Sequence, residues 1–213
     1  MAHAPGGPGG GPVLPGRPGG PRAARGERPG SAAVRRSLQG AVQIAGVHDR
    51  REAEDLLACG VDFLGLPLRL PDGREDLSEE AAAALFAVLA GRVERVLITY
   101  QRDPQAIASF ADALACDWVQ LHGDLAPEAV GALRALRPKL GLIKALVVGA
   151  EDVLARLEAH APHVDAVITD TFDPATGRRG ATGRTHDWAT SRAVVEASPV
   201  PVILAGASTP TTS

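Results

Sequence analysis

The stretch DAVITDTFDPATGRRGATGRTHDW, residues 165–188, decides how the chain is interpreted. Its apolar run at 166–168 predicts a strand that ends in a carboxylate, Asp170. A loop with three glycines follows, and Thr185 or Asp187 can cap the next helix. A strand that ends in an acid, followed by a glycine-rich turn and a helix N-terminus, can hold an acid catalyst beside a phosphate. The alternative is an ordinary strand–helix turn in which the glycines only permit tight geometry.

The composition suits one domain of the parallel α/β class. The chain has 213 residues, of which 45% are hydrophobic but only 3% aromatic. The core must therefore be built from Ala, Val, Leu and Ile, as in parallel sheets. The net charge of −3 and the pI near 6.1 argue against a dedicated nucleic-acid-binding protein. No apolar run approaches the roughly 18 residues that a membrane span needs.

The first part of the chain differs from the rest. Residues 1–30 hold 10 of the 24 glycines and 7 of the 17 prolines. Such a segment cannot bury a core, so we predict a disordered tail at 1–38 and a barrel domain at 39–213. The tail lacks the apolar stretch of a signal peptide. Cys59 and Cys116 form no disulfide framework; free, buried thiols in a reducing cytoplasm are favoured over a disulfide or metal pair.

From residue 41 onward, short apolar runs alternate with Ala/Leu-rich helical segments, which indicates parallel βαβ units. Strands are predicted at 41–45, 61–66, 96–99, 118–121, 142–146, 166–169 and 202–205, and three of them open with an acid, Asp62, Asp117 or Asp165. Helices are predicted at 50–58, 78–89, 104–114, 127–136 and 151–160. Seven such strands predict a (β/α)8 TIM barrel that lacks its last strand–helix unit. A doubly wound open sheet is the competitor, disfavoured because G-x-G-x-x-G is absent after the first strand.

In a barrel, catalytic groups lie at the carboxyl ends of the strands. Burying a polar side chain in an apolar strand costs free energy unless the side chain has a partner or a function. Lys144, between Ile143 and Ala145, is therefore a candidate site residue. Lys144 could instead be a snorkelling or salt-bridged lysine, His122 could only support its own turn, and Asp170 could only cap a helix or pair with Lys144. The strand ends supply His48, Arg69, Arg74, Gln120, His122, Lys144, Asp170, Ala205 and Gly206.

Seven short motifs together resemble the phosphoribosylanthranilate isomerase family. They are QIAGV (43–47), VQLHGD (119–124), IKAL (143–146), ITDT (168–171), GATG (180–183), HDW (186–188) and VILAG (202–206), in the family's order across about residues 41–210. The resemblance implies a (β/α)8 barrel and an Amadori rearrangement in tryptophan biosynthesis. The reaction converts N-(5-phosphoribosyl)anthranilate to 1-(2-carboxyphenylamino)-1-deoxyribulose 5-phosphate, without a metal or an organic cofactor.

The resemblance also implies roles for single residues. Asp170 takes the position of the family's general acid, which protonates the ring oxygen of the furanose. The partner is then a small phosphosugar, with no nucleic acid and no membrane, and the enzyme is cytoplasmic and a monomer or homodimer. The residues expected to bind the substrate or its phosphate are Arg74, Gln120, Lys144, Gly180, Thr182, Gly183, Ala205 and Gly206.

Three features depart from the family's pattern. Ala45 stands where the family has the cysteine that acts as general base, Arg74 only approximates the arginine of an absent Ser-Pro-Arg signature, and the chain ends at Ser213 before the last strand. In an active isomerase, His48 or His122, or a water held by either, would have to act as the base. A divergent barrel that acts on another phosphosugar is one alternative. The other is a truncated barrel that is inactive, or that pairs with a partner through its open edge.

Overall fold

A parallel sheet whose strands follow the order of the chain forms the body of the protein. The computed structural model describes residues 38–148, 150–173, 178–179 and 188–205, and of 171–173 and 178–179 only the strand pairing. The strands are β1 (Gln43–Ala45), β2 (Phe63–Pro67), β3 (Glu94–Thr99), β4 (Trp118–Leu121), β5 (Gly141–Val148), β6 (Ala166–Asp173), β7 (Arg178–Arg179) and β8 (Val202–Leu204). The helices are α1 (Arg50–Ala58), α2 (Glu79–Leu89), α3 (Pro104–Leu114), α4 (Pro127–Leu136), α5 (Val153–His160) and α6 (Trp188–Ala197), with a 3₁₀ turn at Ala161–His163.

Seven of these strands run parallel, in the order β1-β2-β3-β4-β5-β6-β8. Every strand lies beside its predecessor, as in a barrel, whereas a doubly wound sheet reverses its order at a switch point. The prediction of the (β/α)8 class is therefore confirmed. Within the described ranges, β1 and β8 form the two edges of this parallel sheet. The predicted tail up to residue 37 lies outside the described residues.

Local capping explains why several helices begin where the sequence predicts. The carboxylate of Asp49 accepts a hydrogen bond from the backbone N–H of Glu52 at 2.8 Å, at the start of α1. The hydroxyl of Ser78 and the carboxylate of Asp103 cap α2 and α3 in the same way. Pro104 follows in the first turn of α3, where a missing N–H costs nothing.

The segment after β6 differs from the predicted loop. Strand β6 continues to Asp173 and pairs antiparallel with β7, so that Phe172 lies opposite Arg179 and Asp173 opposite Arg178. The sequence between these strands, Pro-Ala-Thr-Gly, has the residue types that favour turns. The prediction interpreted the glycines as a turn between a strand and a helix, with or without a bound phosphate, and did not include this antiparallel pairing.

The three acids that precede β2, β4 and β6 tie neighbouring strands together. Asp117 accepts hydrogen bonds from the backbone N–H of Arg95 at 3.0 Å and from its guanidinium at 2.8 Å. Asp62 and Asp165 each accept a backbone N–H from the preceding strand segment in the same way, at 3.2 and 2.8 Å. The backbone donors are those of Val42, Arg95 and Leu142.

The apolar residues form two clusters, one on each face of the sheet. The larger lies between the sheet and the helices. The smaller fills the barrel interior, where Phe63 and Trp118 meet edge to face with ring centroids 5.6 Å apart.

The two cysteines are both free. Cys59 is exposed, so the prediction of a buried thiol is wrong there, because Cys59 ends α1 where the chain turns at the surface. Cys116 is half-buried, and burial raises the pKa of its thiol to about 12. This thiol stays protonated near neutral pH and is a poor nucleophile.

Candidate active site

A cavity of about 1210 Å³ opens at the carboxyl ends of the strands. Its walls come from β1, β2, β3, β4, β6 and β8, from segments that follow several of them, and from Leu38 and residues 40–42 before β1. This is the end at which barrel enzymes carry their catalytic groups, and the volume suffices for a sugar phosphate with an aromatic substituent. Its polar and charged lining residues include Gln43, Asp72, Tyr100, Arg102, Gln120, His122, Asp124 and Asp170.

A histidine and a carboxylic acid meet in the wall of this cavity. Nδ1 of His122 lies 3.3 Å from Oδ2 of Asp170, and the two side chains are 12% and 8% exposed. His122 follows β4 and Asp170 lies in β6, so β5 separates the two strands in the sheet. The contact is close but not well directed, because Nδ1 makes no hydrogen bond of good geometry in the described structure. The structure brings together two residues that the sequence predicted separately.

Two glutamine side chains continue this contact into the barrel. Nε2 of Gln120 lies 2.6 Å from Nε2 of His122, the second nitrogen of the ring. Nε2 of Gln43 donates a hydrogen bond to Oε1 of Gln120 at 2.7 Å. Gln120 is only 3% exposed. Gln120, which the sequence predicts to bind substrate, therefore already has two side-chain partners, Gln43 on β1 and His122 after β4.

Lys144 lies below the site and is fully buried. Its ammonium donates hydrogen bonds to the carbonyl oxygens of Leu121, Gly123 and Ala145 at 3.3, 3.1 and 2.9 Å. Two of these carbonyls flank His122 in the chain. The structure thus places this predicted ligand-binding lysine under the turn that carries His122.

Glycine is required in that turn. A Cβ built on Gly123 would lie 2.5 Å from the carbonyl oxygen of Tyr100, and backbone cannot yield as a flexible side chain can. The close approach also places the Tyr100 ring beside His122, with ring centroids 5.3 Å apart. The turn after β4 is therefore held from β3 on one side and from β5 on the other.

The other predicted base, His48, lies apart from Asp170. Its side chain is 63% exposed, with Nδ1 3.2 Å from Glu52 and Nε2 3.8 Å from Asp76. Hydrogen bonds from the backbone N–H and ring of His48 lower the pKa of the Glu52 carboxyl. His48 is absent from the described lining of the cavity. The structure therefore separates the two histidines that the sequence treated alike.

The predicted phosphate ligands are only partly described. Ala205 lines the cavity, and its backbone N–H donates to Oγ1 of Thr169 at 3.3 Å. Arg74 is exposed in the loop after β2, where its backbone N–H donates to Asp72 at 3.3 Å. The positions that lie outside the described residues are Gly180, Thr182, Gly183 and Gly206.

Two residues of the cavity wall escaped the sequence interpretation. Tyr100 and Arg102 follow β3 directly, the one strand whose carboxyl end was not searched. Arg102 is exposed to the cavity, and its guanidinium forms no ion pair with any described carboxylate. The apolar side chains of Pro67, Leu70 and Ile98 line the wall on the same side. That wall combines a cation with a surface suited to an aromatic ring.

Metal and membrane features are absent from the part of the chain that the structure describes. Its histidine, cysteine and acidic side chains form no group of three or more that could hold a metal ion. No helix in these ranges combines the length and apolar character needed to cross a membrane.

The fold and the site define a TIM-barrel protein equipped for acid–base chemistry on a bound small molecule. Residues 67–212 match the family model described as N-(5'phosphoribosyl)anthranilate (PRA) isomerase. The chain is 37% identical over 170 residues to N-(5'-phosphoribosyl)anthranilate isomerase of Haloferax volcanii, covering 79% of this chain and 74% of the relative. It is 36% identical over 173 residues to the enzyme of the same name from Halobacterium salinarum, covering 79% and 76%.

A solved structure gives the same result. The phosphoribosyl anthranilate isomerase of Thermus thermophilus superposes with a TM-score of 0.62 at 26% identity, covering 77% of this chain and 75% of that one. The chain belongs to the N-(5'-phosphoribosyl)anthranilate isomerase family, a family of isomerases of tryptophan biosynthesis. The resemblance that the seven motifs indicated is confirmed.

Proposed function

We propose that this chain catalyses the isomerisation of N-(5'-phosphoribosyl)anthranilate, with Asp170 and His122 as its acid and base. The observation that carries the proposal is the 3.3 Å contact between His122 Nδ1 and Asp170 Oδ2 in the cavity wall. An aldose–ketose rearrangement of this kind needs one group that donates a proton and one that accepts it. It needs neither a metal nor an organic cofactor.

The first step is ring opening. Asp170 delivers a proton to the furanose ring oxygen, the bond between that oxygen and C1 breaks, and the nitrogen lone pair forms the iminium. Such an acid must lie where a bound substrate can reach it. Asp170 lies in β6, is buried and lines the cavity.

The second step is proton abstraction. His122 removes the proton from C2, the resulting enolamine tautomerises to the ketone, and the atoms of the substrate are conserved. The proton on His122 then returns to Asp170 across the 3.3 Å contact, which restores both groups for the next turnover. His122 is preferred to His48 as the base because only His122 lines the cavity.

The substrate is oriented by its two anionic ends. Its phosphate lies beside β8 at Ala205, and the sequence predicts the backbone N–H donors at Gly180, Thr182, Gly183 and Gly206. Its aromatic carboxylate lies across the cavity beside β3, where Arg102 supplies a guanidinium and Arg74 a second cation from the neighbouring loop. As an enzyme of amino-acid biosynthesis it acts in the cytoplasm, as a monomer or homodimer.

The test is turnover of N-(5'-phosphoribosyl)anthranilate by the purified chain. We expect Asp170→Asn and His122→Asn each to lower kcat by about 10²–10⁴-fold, the usual contribution of a general acid or base. His48→Asn is the matched control, because it makes the same change outside the cavity and should leave kcat unchanged. A wild-type kcat in Asp170→Asn would contradict the role of Asp170 as the acid. A loss of kcat in His48→Asn but not in His122→Asn would contradict the role of His122 as the base.

A second candidate is isomerisation of another phosphoribosyl compound, favoured by one observation. Ala45 lines the cavity at the end of β1, where the family carries its basic cysteine, so the site departs from the family at a reacting group. Assays against both the anthranilate and an aminoimidazole phosphoriboside separate the two functions. Turnover of the first compound alone excludes the second candidate.

A further inference from the structure

A glycine of β2 lies under the floor of the cavity, between two residues that line it. Gly65 is the register partner of Ala45 on β1. It is buried and absent from the described lining, to which Ala45 and Ile98 of β3 both belong. Its φ is not in the left-handed region, so the backbone at this position could carry a side chain. The absence of a side chain at position 65 therefore provides space and not conformational freedom.

The side chain of Ile98 fills the space over Gly65. A Cβ built on Gly65 would lie 2.7 Å from Cδ1 of Ile98 and 3.4 Å from its Cγ1, but 3.5 Å from Cβ of Ala45, which is an ordinary contact. Ile98 is only 5% exposed, so its side chain is packed on the glycine and does not stand free in the cavity. The depth of the cavity on this side therefore depends on the side chain of Ile98.

Ile98 belongs to the wall to which the proposed function assigns the aromatic group of the substrate. Pro67 and Leu70 line the same wall, and Arg102 supplies its cation. Ile98 lies within β3, whereas Arg102 follows the carboxyl end of that strand, so the guanidinium is nearer the mouth of the cavity than the isoleucine. An aromatic ring whose carboxylate is bound by Arg102 therefore has Ile98 below it.

We propose that Ile98 is a specificity-determining residue that, packed over Gly65, excludes aromatic groups with a further substituent on the ring edge that faces it. The identity of the ligand rests on the proposed function, whereas the position of Ile98 over Gly65 does not. An apolar pocket distinguishes ligands that differ by one carbon by about 10–200-fold. Cδ1 of Ile98 is one carbon, so its removal should be enough to admit one methyl group.

The experiment is calorimetric binding to the full chain of a parent compound and its ring-methylated derivatives. The parent is 1-(2-carboxyphenylamino)-1-deoxyribulose 5-phosphate reduced at its ketone, which cannot react. The wild type should bind at least one derivative more weakly than the parent by about tenfold or more, and Ile98→Val should lower this ratio by about tenfold. Ile168→Val makes the same change at an isoleucine of β6 that is 6% exposed and also lines the cavity, and should leave the ratio unchanged.

A second pair of variants tests the packing over Gly65. In Gly65→Ala the new methyl group should push the end of the Ile98 side chain into the cavity and weaken binding of the parent compound by about tenfold. Adding Ile98→Val should restore this binding, because the 2.7 Å approach involves Cδ1, the carbon that valine lacks.

Three results would overturn the inference. They are equal binding of the parent and all its methylated derivatives by the wild type, an equal effect of the two single valine variants on the ratio, and a double variant that binds no better than Gly65→Ala. A wild type that binds the parent compound but does not turn over N-(5'-phosphoribosyl)anthranilate counts against the proposed function alone. A wild type that does not bind the parent compound overturns both.

Discussion

The ammonium nitrogen of Lys144 lies 3.1 Å from the carbonyl oxygen of Gly123, one strand away and directly beneath the turn that carries His122. The ammonium also bonds to the carbonyls of Leu121 and Ala145. Because these oxygens are strong acceptors, they compensate part of the cost of burying the charge. A strand lysine thus supports the turn that carries His122.

Lys144→Met should therefore lower both stability and kcat. The change leaves buried carbonyls without a partner, so we expect the free energy of unfolding to fall by about 2 kcal/mol or more. His122 should lose its position, which lowers kcat. Urea unfolding and steady-state kinetics measure the two effects. Lys139→Met, at the exposed lysine, is the control. If Lys144 bound substrate directly, the variant would instead show a raised KM with unchanged stability.

Arg69 stabilises the loop that forms one wall of the cavity. Its φ of 53° is in the left-handed region, its guanidinium lies 3.7 Å from the centroid of the Phe110 ring, and it pairs with Glu79 at 2.7 and 3.0 Å. Arg69→Ala keeps the strained backbone and loses both contacts, so we expect a loss of about 1–2 kcal/mol. Arg69→Gly loses the same contacts but relieves the strain, and should recover about 1 kcal/mol of this loss. Equal stability of the two variants would show that the backbone at residue 69 is not strained.

The same pair predicts a small dependence of stability on pH. Hydrogen bonds from Arg69 lower the pKa of the Glu79 carboxyl, so the folded state binds a proton there less readily than the unfolded state. The stabilisation is present above the unfolded pKa and is lost as pH falls through the lower folded value. Because Glu79 is nearly half exposed, the effect should stay below about 1 kcal/mol. The difference in unfolding free energy between the wild type and Arg69→Ala should be smaller in acid than at neutral pH, where the ion pair adds to the contact with Phe110.

Arg102→Ala should weaken binding of the carboxylated aromatic group. A charged hydrogen bond of this kind is worth about 1.5–3 kcal/mol, so KM should rise by about tenfold or more. A substrate analogue that lacks the carboxylate should bind the wild type and the variant alike, which isolates the interaction. Arg51→Ala, at an exposed arginine of α1, is the control. An equal loss for both substrates would show that Arg102 acts elsewhere.

Ala45→Cys tests whether the cavity can use a thiol at the end of β1. A cysteine there could remove the C2 proton in place of the imidazole, because a thiolate accepts protons and Ala45 already lines the cavity. We expect the substitution to raise kcat by at least tenfold in the His122→Asn background and by less in the wild type. Ala45→Ser, of similar size but far less basic, is the control. An equal effect of Cys and Ser would indicate a change of shape and not of chemistry.

Local signals were sufficient for most of the fold. The caps at Asp49 and Asp103 and the prolines that begin α3 and α4 operate within a few residues, and the predicted bounds of α1, α3 and α4 match the structure. The site depends on contacts that no local pattern encodes. Gln43 and Gln120 are 77 residues apart in the chain, and only the closure of the strands brings them together.

The two histidines illustrate the same limit. Both follow a strand, but His48 leads into α1 and lies against the acids of its own surface, whereas His122 is held inward by the lysine beneath its turn. The residue type is the same, but His48 lies three residues beyond its strand and His122 only one. A hydrogen bond from a different strand, which the sequence does not display, also holds the turn of His122.

The acids Asp62, Asp117 and Asp165 have a consequence for how the molecule assembles. Each links an even-numbered strand to the odd-numbered strand before it, which divides the sheet into the pairs β1–β2, β3–β4 and β5–β6. Between pairs, this link is not repeated among the described residues. Six of the seven parallel strands therefore form three pairs, each with its own side-chain link, and amide exchange should release these six strands two at a time.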